Sequence, residues 1–186
     1  PTPDEVSIML SHHDLSSYKG LRNYLLIYLM SHLGLRQTEA RTLKAHQIRK
    51  TSDGQGHKIF IQIKVKGGHE RKIPITDYLY CKLQEIVNLK LGFRLPANHL
   101  FLFTSTIRRN RPLTSMQVNR IVRRYAPNSQ ITPHSLRVYF INRVATKTNN
   151  NAIITQRLAG HADVRTTIRY LREREELSVM PEEIVK

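Results

Sequence analysis
The apolar period of this chain switches from helical to alternating and back, and that switch limits its fold more than any other feature. Leu21, Leu25, Tyr28, Leu29 and then His32 or Leu33 recur at helical spacing across residues 17–33. Farther on, Ile59, Ile61, Ile63 and Val65 alternate with Phe60, Gln62 and Lys64, the pattern of a strand with one apolar face. Gly67-Gly68 suits a hairpin turn, and residues 69–75 are long enough to return as the partner strand. After Asp77 the helical period resumes with Leu79, Leu83, Ile86, Val87 and Lys90. The sequence therefore predicts an α+β fold, mainly α-helical, with a small antiparallel β-sheet set among the helices. At 186 residues the chain is one domain of ordinary size and long enough to bury a sizeable core.

Stop and start signals divide the helical parts. Gly34 ends the first helix, and Thr38 is expected to cap a short one over residues 39–45 with Glu39 in its first turn. Asp77 is expected to cap the next helix and Gly92 to end it, and residues 96–103 read as irregular. Thr114 caps a helix carrying Val118, Ile121, Val122 and Tyr125. Thr132-Pro133 is a helix start with proline at the first helical position. Asn150 or Asn151 opens a further helix that Gly160 closes, and Asp163 is placed to cap residues 164–171. The sequence contains no internal repeat and no low-complexity tract.

Charge points to the partner. Thirty Lys and Arg against 14 Asp and Glu give a formal net charge of +16, which implies a polyanion. The excess is concentrated: residues 104–170 hold 12 Lys or Arg and a single acid, Asp163. The apolar run Tyr24–Met30 is far short of the roughly 20 residues that span a bilayer, so no membrane role is expected. The lone Cys81 rules out an internal disulfide or a zinc-binding cysteine pair, and its place in a helical pattern predicts plain packing.

The basic segment also carries the chemistry. His134 and Arg137 stand at i and i+3 on one helix and share a face, while Leu136, Phe140 and Val144 suit the core. His161 follows Gly160 directly, where a helix cap pins it, and Tyr170 lies nine residues on. Singly, each has an ordinary reading as a solvated polar face, a histidine at a helix end, or a packed aromatic. A tyrosine, with a pKa of about 10, attacks at neutral pH only if a neighbour takes its proton and cations favour the oxyanion.

Taken together, His134-Ser135-Leu136-Arg137 and Leu158-Ala159-Gly160-His161, followed by Tyr170, resemble the tyrosine recombinase (phage integrase) family. Upstream, the run from Leu33 to Ala40 is similar to the family's first arginine motif. The run from Val65 to Pro74 is similar to its lysine-bearing hairpin. The residue after Arg137 is Val138, where many relatives carry a polar or basic side chain, and Leu-Ala-Gly-His replaces commoner variants. Neither departure touches a proposed catalytic atom.

The resemblance implies the tyrosine recombinase catalytic-domain fold and a set of roles. Arg36 and Arg137 would grip the non-bridging oxygens of the scissile phosphate, and His161 would add a hydrogen bond. Lys66 would protonate the departing 5′ oxygen, His134 would assist proton transfer, and Tyr170 would form a 3′-phosphotyrosyl link. Glu39 would steady the site. Arginine suits phosphate because its planar fork donates bidentately and stays charged. With charge supplied by side chains, neither a metal nor any other cofactor is expected, and ATP is unnecessary for rejoining.

The resemblance further implies a catalytic domain over residues 1–171 and a tail over residues 172–186 that packs on a neighbouring protomer. Only 35 residues precede Arg36, too few for the separate DNA-binding domain of full-length relatives, so the catalytic half alone is expected. Expected partners are double-stranded DNA, further protomers in a tetramer on synapsed DNA, and accessory DNA-bending proteins. The expected setting is the cytoplasm, on the nucleoid, of a prokaryotic host or mobile element. Softer DNA contacts are expected from Lys64, Arg71 and Lys72 around the hairpin, from Arg108, Arg109 and Arg111, and from Gln117, Arg120 and Arg124 on one helix face. Two readings compete: a type IB topoisomerase-like activity and a non-catalytic DNA-binding protein on the same scaffold. An RNA-binding module is disfavoured by the lack of an aromatic RNP-like run.

Overall fold
The computed structural model describes residues 1–53, 56–64, 70–91 and 100–160. Seven α-helices, one 3-10 turn (Ala45–Gln47) and three strands appear among them. In chain order they are α1 (Pro3–Ser11), α2 (Tyr18–His32), α3 (Gln37–Arg41), β1 (Ile48–Asp53), β2 (Gly56–Lys64), β3 (Glu70–Pro74), α4 (Asp77–Leu91), α5 (Ser115–Tyr125), α6 (Pro133–Lys147) and α7 (Ala152–Ala159).

Helix α2 is the axis of the core. Its Leu21, Leu25, Leu26, Ile27, Leu29 and Met30 are fully buried. Apolar residues on every side of a helix require neighbours on every side, and α2 packs against α1, α3, α4, α5 and α6. Ser17 caps it by accepting from the Gly20 N–H at 3.1 Å. It ends at Gly34, which takes φ +63, a left-handed conformation that favours glycine.

The sheet is antiparallel in the order β1-β2-β3. Ile61 pairs with Ile73, and Ile63 with Arg71. Ile61, Ile63 and Ile73 are buried, so this face of the sheet meets the core. The Gly67-Gly68 turn expected between β2 and β3 lies outside the described residues, as does the expected helix over residues 164–171.

Three expectations are corrected. The short helix after Gly34 begins at Gln37, with Arg36 rather than Thr38 at its cap position. Glu39 decides this, because its carboxylate accepts the Arg36 N–H at 2.7 Å. Asp77 is the first helical residue of α4, not its cap; Thr76 Oγ1 accepts the Leu79 N–H at 3.3 Å. Cys81 is exposed, because the buried stripe of α4 runs through Leu79, Leu83, Ile86 and Val87 and leaves residue 81 outside it. No helix among the described residues is long and apolar enough to cross a membrane.

Candidate active site
Two helix ends supply carbonyls, and two arginines take them. Helix α6 starts at Pro133 behind Thr132, whose hydroxyl accepts the Ser135 N–H at 3.2 Å. One turn in, Arg137 is buried and its Nη1 donates to the Gly34 carbonyl at the end of α2. A side chain at residue 34 would collide with Phe140 on the same helix, its Cβ lying 2.2 Å from Cδ1. The left-handed glycine therefore does two things: it turns the chain and lets α6 close on α2.

Two residues beyond Gly34, Arg36 repeats the arrangement. Its Nη2 donates to the Gly160 carbonyl at 3.2 Å, just after α7. Asn151 caps that helix, its Oδ1 accepting the Ile154 N–H at 3.1 Å, and Gly160 ends it at φ +64. Arg36 Nη1 meets Glu39 Oε1 at 3.1 Å. The Arg36 side chain is 40% exposed and that of Glu39 only 10%. The cation thus faces outward from an anchored carboxylate. Of the five N–H donors on its guanidinium, two are engaged by the described residues.

The second oxygen of Glu39 takes a further cation, Arg71 Nη2, at 3.3 Å. Burial pushes the Arg71 guanidinium below its usual value; Glu39 opposes the shift and Arg36 reinforces it. Among the described residues, one carboxylate balances two guanidiniums, and Arg137 adds a third cation anchored beside Gly34. A preorganised cluster with excess positive charge is what an incoming phosphate requires.

The remaining expected residues divide. The face that His134 and Arg137 were expected to share is divided: His134 is exposed at the start of α6 and Arg137, one turn on, is buried, because Arg137 turns inward to the Gly34 carbonyl. Lys66, His161 and Tyr170 lie outside the described residues. Lys64 and Lys72 are exposed, and Lys72 Nζ lies 5.1 Å from the centroid of the Phe60 ring. Arg108, Arg109 and Arg111 are exposed on the segment before α5. On α5, Val118, Ile121 and Val122 are buried while Arg120 and Arg124 are exposed, as the periodicity requires. Gln117 Oε1 accepts the Thr114 N–H at 2.8 Å at the start of the helix.

Sequence reasoning missed a concavity of about 580 Å³ beside Glu39, whose rim includes Thr38, Lys44, His46, Arg49 and Lys64. It also missed the inward direction of Arg71. Strand parity carried that signal, since Arg71 stands two residues before the buried Ile73.

A sequence model of the phage integrase family matches residues 2–176. The tyrosine recombinase XerC of Staphylococcus saprophyticus is 29% identical over 173 residues, covering 90% of this chain and 54% of the relative. The chain thus spans about half the length of that relative. Among solved structures, the XerH site-specific recombinase bound to its difH substrate superposes with a TM-score of 0.73 at 24% identity, over 96% of this chain and 52% of that one. The XerA recombinase gives 0.69 at 21% identity, over 97% and 65%. The fold is that of tyrosine recombinase catalytic domains.

Proposed function
Because the chain belongs to the phage integrase family, we propose that it breaks and rejoins duplex DNA at specific sites through a covalent phosphotyrosyl intermediate. The observation that carries this reading is the pair of anchored arginines: Arg137 held on the Gly34 carbonyl, and Arg36 held between Glu39 and the Gly160 carbonyl. The two motifs are about a hundred residues apart in sequence. The fold ties one arginine to the turn that leads directly into the other.

In this mechanism the Tyr170 hydroxyl oxygen attacks the scissile phosphorus. An O–P bond forms to the 3′ phosphate and the P–O5′ bond breaks. The phenolic proton leaves with assistance from His134, and Lys66 protonates the departing 5′ oxygen. Arg36, Arg137 and His161 hydrogen-bond the non-bridging oxygens as charge accumulates on them. The phosphotyrosyl bond conserves the energy of the broken strand, so a 5′ hydroxyl from a second strand reverses the step without ATP. Residues 1–171 act as the catalytic domain, and residues 172–186 pack on a neighbouring protomer within a tetramer that bridges two DNA sites. Such an assembly works on the nucleoid of its host, with or without DNA-bending accessory proteins. Lys64, Lys72, Arg108, Arg109, Arg111, Arg120 and Arg124 supply contacts to the DNA backbone, which a formal charge of +16 favours.

The test is a supercoiled circle carrying two copies of a site recovered from a randomised duplex pool, incubated with the full chain in EDTA and without nucleotide. Deletion or inversion products are expected. Relaxation without recombinants would replace this reading with a topoisomerase-like one. Retention of the DNA with no change of topology would reduce it to DNA binding.

A further inference from the structure
Arg71 is one of several basic residues flanking a hairpin, but its place on β3 separates it from the others. It pairs with Ile63, and it shares the core-facing side of the sheet with Ile73. Its side chain is only 11% exposed. Nη2 lies 3.3 Å from Glu39 Oε2, and Nη1 reaches to 3.5 Å from the Leu158 carbonyl near the end of α7. Glycine at residue 160 makes room for it: a Cβ there would lie 1.9 Å from Arg71 Nη1 and 2.5 Å from Cζ.

These contacts close a ring. Arg71 holds Glu39, Glu39 holds Arg36, Arg36 holds the Gly160 carbonyl, and Arg71 returns to the same helix end through Leu158. Three segments that are remote in sequence, residues 36–39, residue 71 and residues 158–160, are joined by side chains rather than by backbone pairing. The Nε–H of Arg71 is buried without an acceptor among the described residues. Such a group costs stability that an apolar side chain of similar length would not. The placement therefore makes better sense as orientation than as stabilisation.

We propose that Arg71 is a positioning residue, which sets the guanidinium of Arg36 through Glu39 and fixes the end of α7 against α3. The inference rests on the recombinase reading above. A lysine is a poor substitute, because a point donor cannot span a carboxylate and a carbonyl as the planar fork does.

The experiment compares the unaltered chain with Arg71→Met, Arg71→Lys, Glu39→Gln and the Arg71→Met/Glu39→Gln double variant. The probe is a nicked duplex recovered from the randomised pool. Three quantities are read: the rate constant and amplitude of covalent adduct formation at saturating DNA, the affinity across a salt series, and the melting temperature. The expected result is a rate constant lower by up to about 100-fold in Arg71→Met, with amplitude, affinity and melting temperature nearly unchanged. Arg71→Lys should recover only part of the rate, and the double variant should be no slower than the slower single one. An unchanged saturating rate, with weaker and less salt-sensitive binding, would make Arg71 a phosphate contact and overturn the inference. A lower amplitude and melting temperature at an unchanged rate constant would overturn it in favour of a purely structural role. Absence of adduct from the unaltered chain would overturn the recombinase reading itself, and the inference with it.

Discussion

The cluster around Arg36 and the cluster around Lys90 are built from the same kinds of side chain and leave them in opposite states. Lys90, only 1% exposed, donates to the Phe101 carbonyl, to Thr104 Oγ1 at 2.9 Å and to the Arg109 carbonyl at 3.3 Å. Those three bonds use every donor of an ammonium group. Arg22 beside it, 6% exposed, donates to the Thr104 carbonyl at 2.8 Å and to Asn23 Oδ1. The partners of Lys90 and Arg22 are neutral oxygens, and no donor of Lys90 is left for a ligand. Arg36, by contrast, is tethered by a carboxylate and a carbonyl, its side chain is 40% exposed, and the described residues engage only two of its donors. On the proposed reading, the difference is that between a pin and a binding group in a basic protein. A pin is saturated by neutral acceptors under cover, whereas a binding group is aimed by partners that leave part of its fork open.

The sharpest way to break this comparison is to remove one cation from each cluster. Arg36→Ala should slow single-turnover DNA cleavage by about 100- to 1,000-fold, the cost of one transition-state donor, and should shift the melting temperature little. Lys90→Met should do the reverse. Chemical denaturation should show a loss of about 1–3 kcal/mol, because the oxygens around Lys90 are left unpaired, while the cleavage rate of folded protein stays the same. If Arg36→Ala proved mainly destabilising, or Lys90→Met mainly slow, the distinction would collapse.

Gly34→Ala probes the carbonyl anchor. At φ +63, with a Cβ 2.2 Å from Phe140, it should cost about 1–3 kcal/mol of stability. It should also slow cleavage, since it displaces the carbonyl that Arg137 holds. A destabilised variant with undiminished cleavage would show that the anchor is dispensable.

The smallest expected effect is one of pH. Burial, with Arg109 and Arg22 close by, pushes the Lys90 ammonium down to about 8. A depressed folded-state value means that the unfolded chain binds the proton first as pH falls from about 10.5. Stability should therefore rise as pH increases from about 8 toward 10. Above 10 the trend should reverse, because burial raises the Tyr18 phenol and the unfolded chain then loses that proton first. Thermal melts from pH 7.5 to 10 should show the rise, and Lys90→Met should flatten it.

Much of this was legible in the sequence where one physical signal dominated. Alternating isoleucines marked β2, and Thr114 and Thr132 announced the starts of α5 and α6 through hydroxyls that accept N–H groups. Strand β1 was not legible, because Ile48 is its only large apolar residue and the strand lies at the edge of the sheet. Helix α1 buries only Val6 and Met9, too few to give a period. Arg71 and Lys90 teach the same lesson from the other side. Parity placed Arg71 on the face of Ile73, and helical spacing placed Lys90 in the stripe of Leu79, Leu83, Ile86 and Val87. The period was right, and the charge disguised the burial. Only the carbonyls and the carboxylate that receive these cations, brought in from distant segments, explain how burial is tolerated.

The most direct measurement is a trapping reaction. The full chain is incubated in EDTA with a pool of nicked duplexes, from which the short cleaved strand diffuses away and cannot be rejoined. The account predicts a protein–DNA adduct that survives denaturant, maps to Tyr170 by mass spectrometry and disappears in Tyr170→Phe. An adduct on any other residue, or one that forms only when a divalent metal is added, would contradict it.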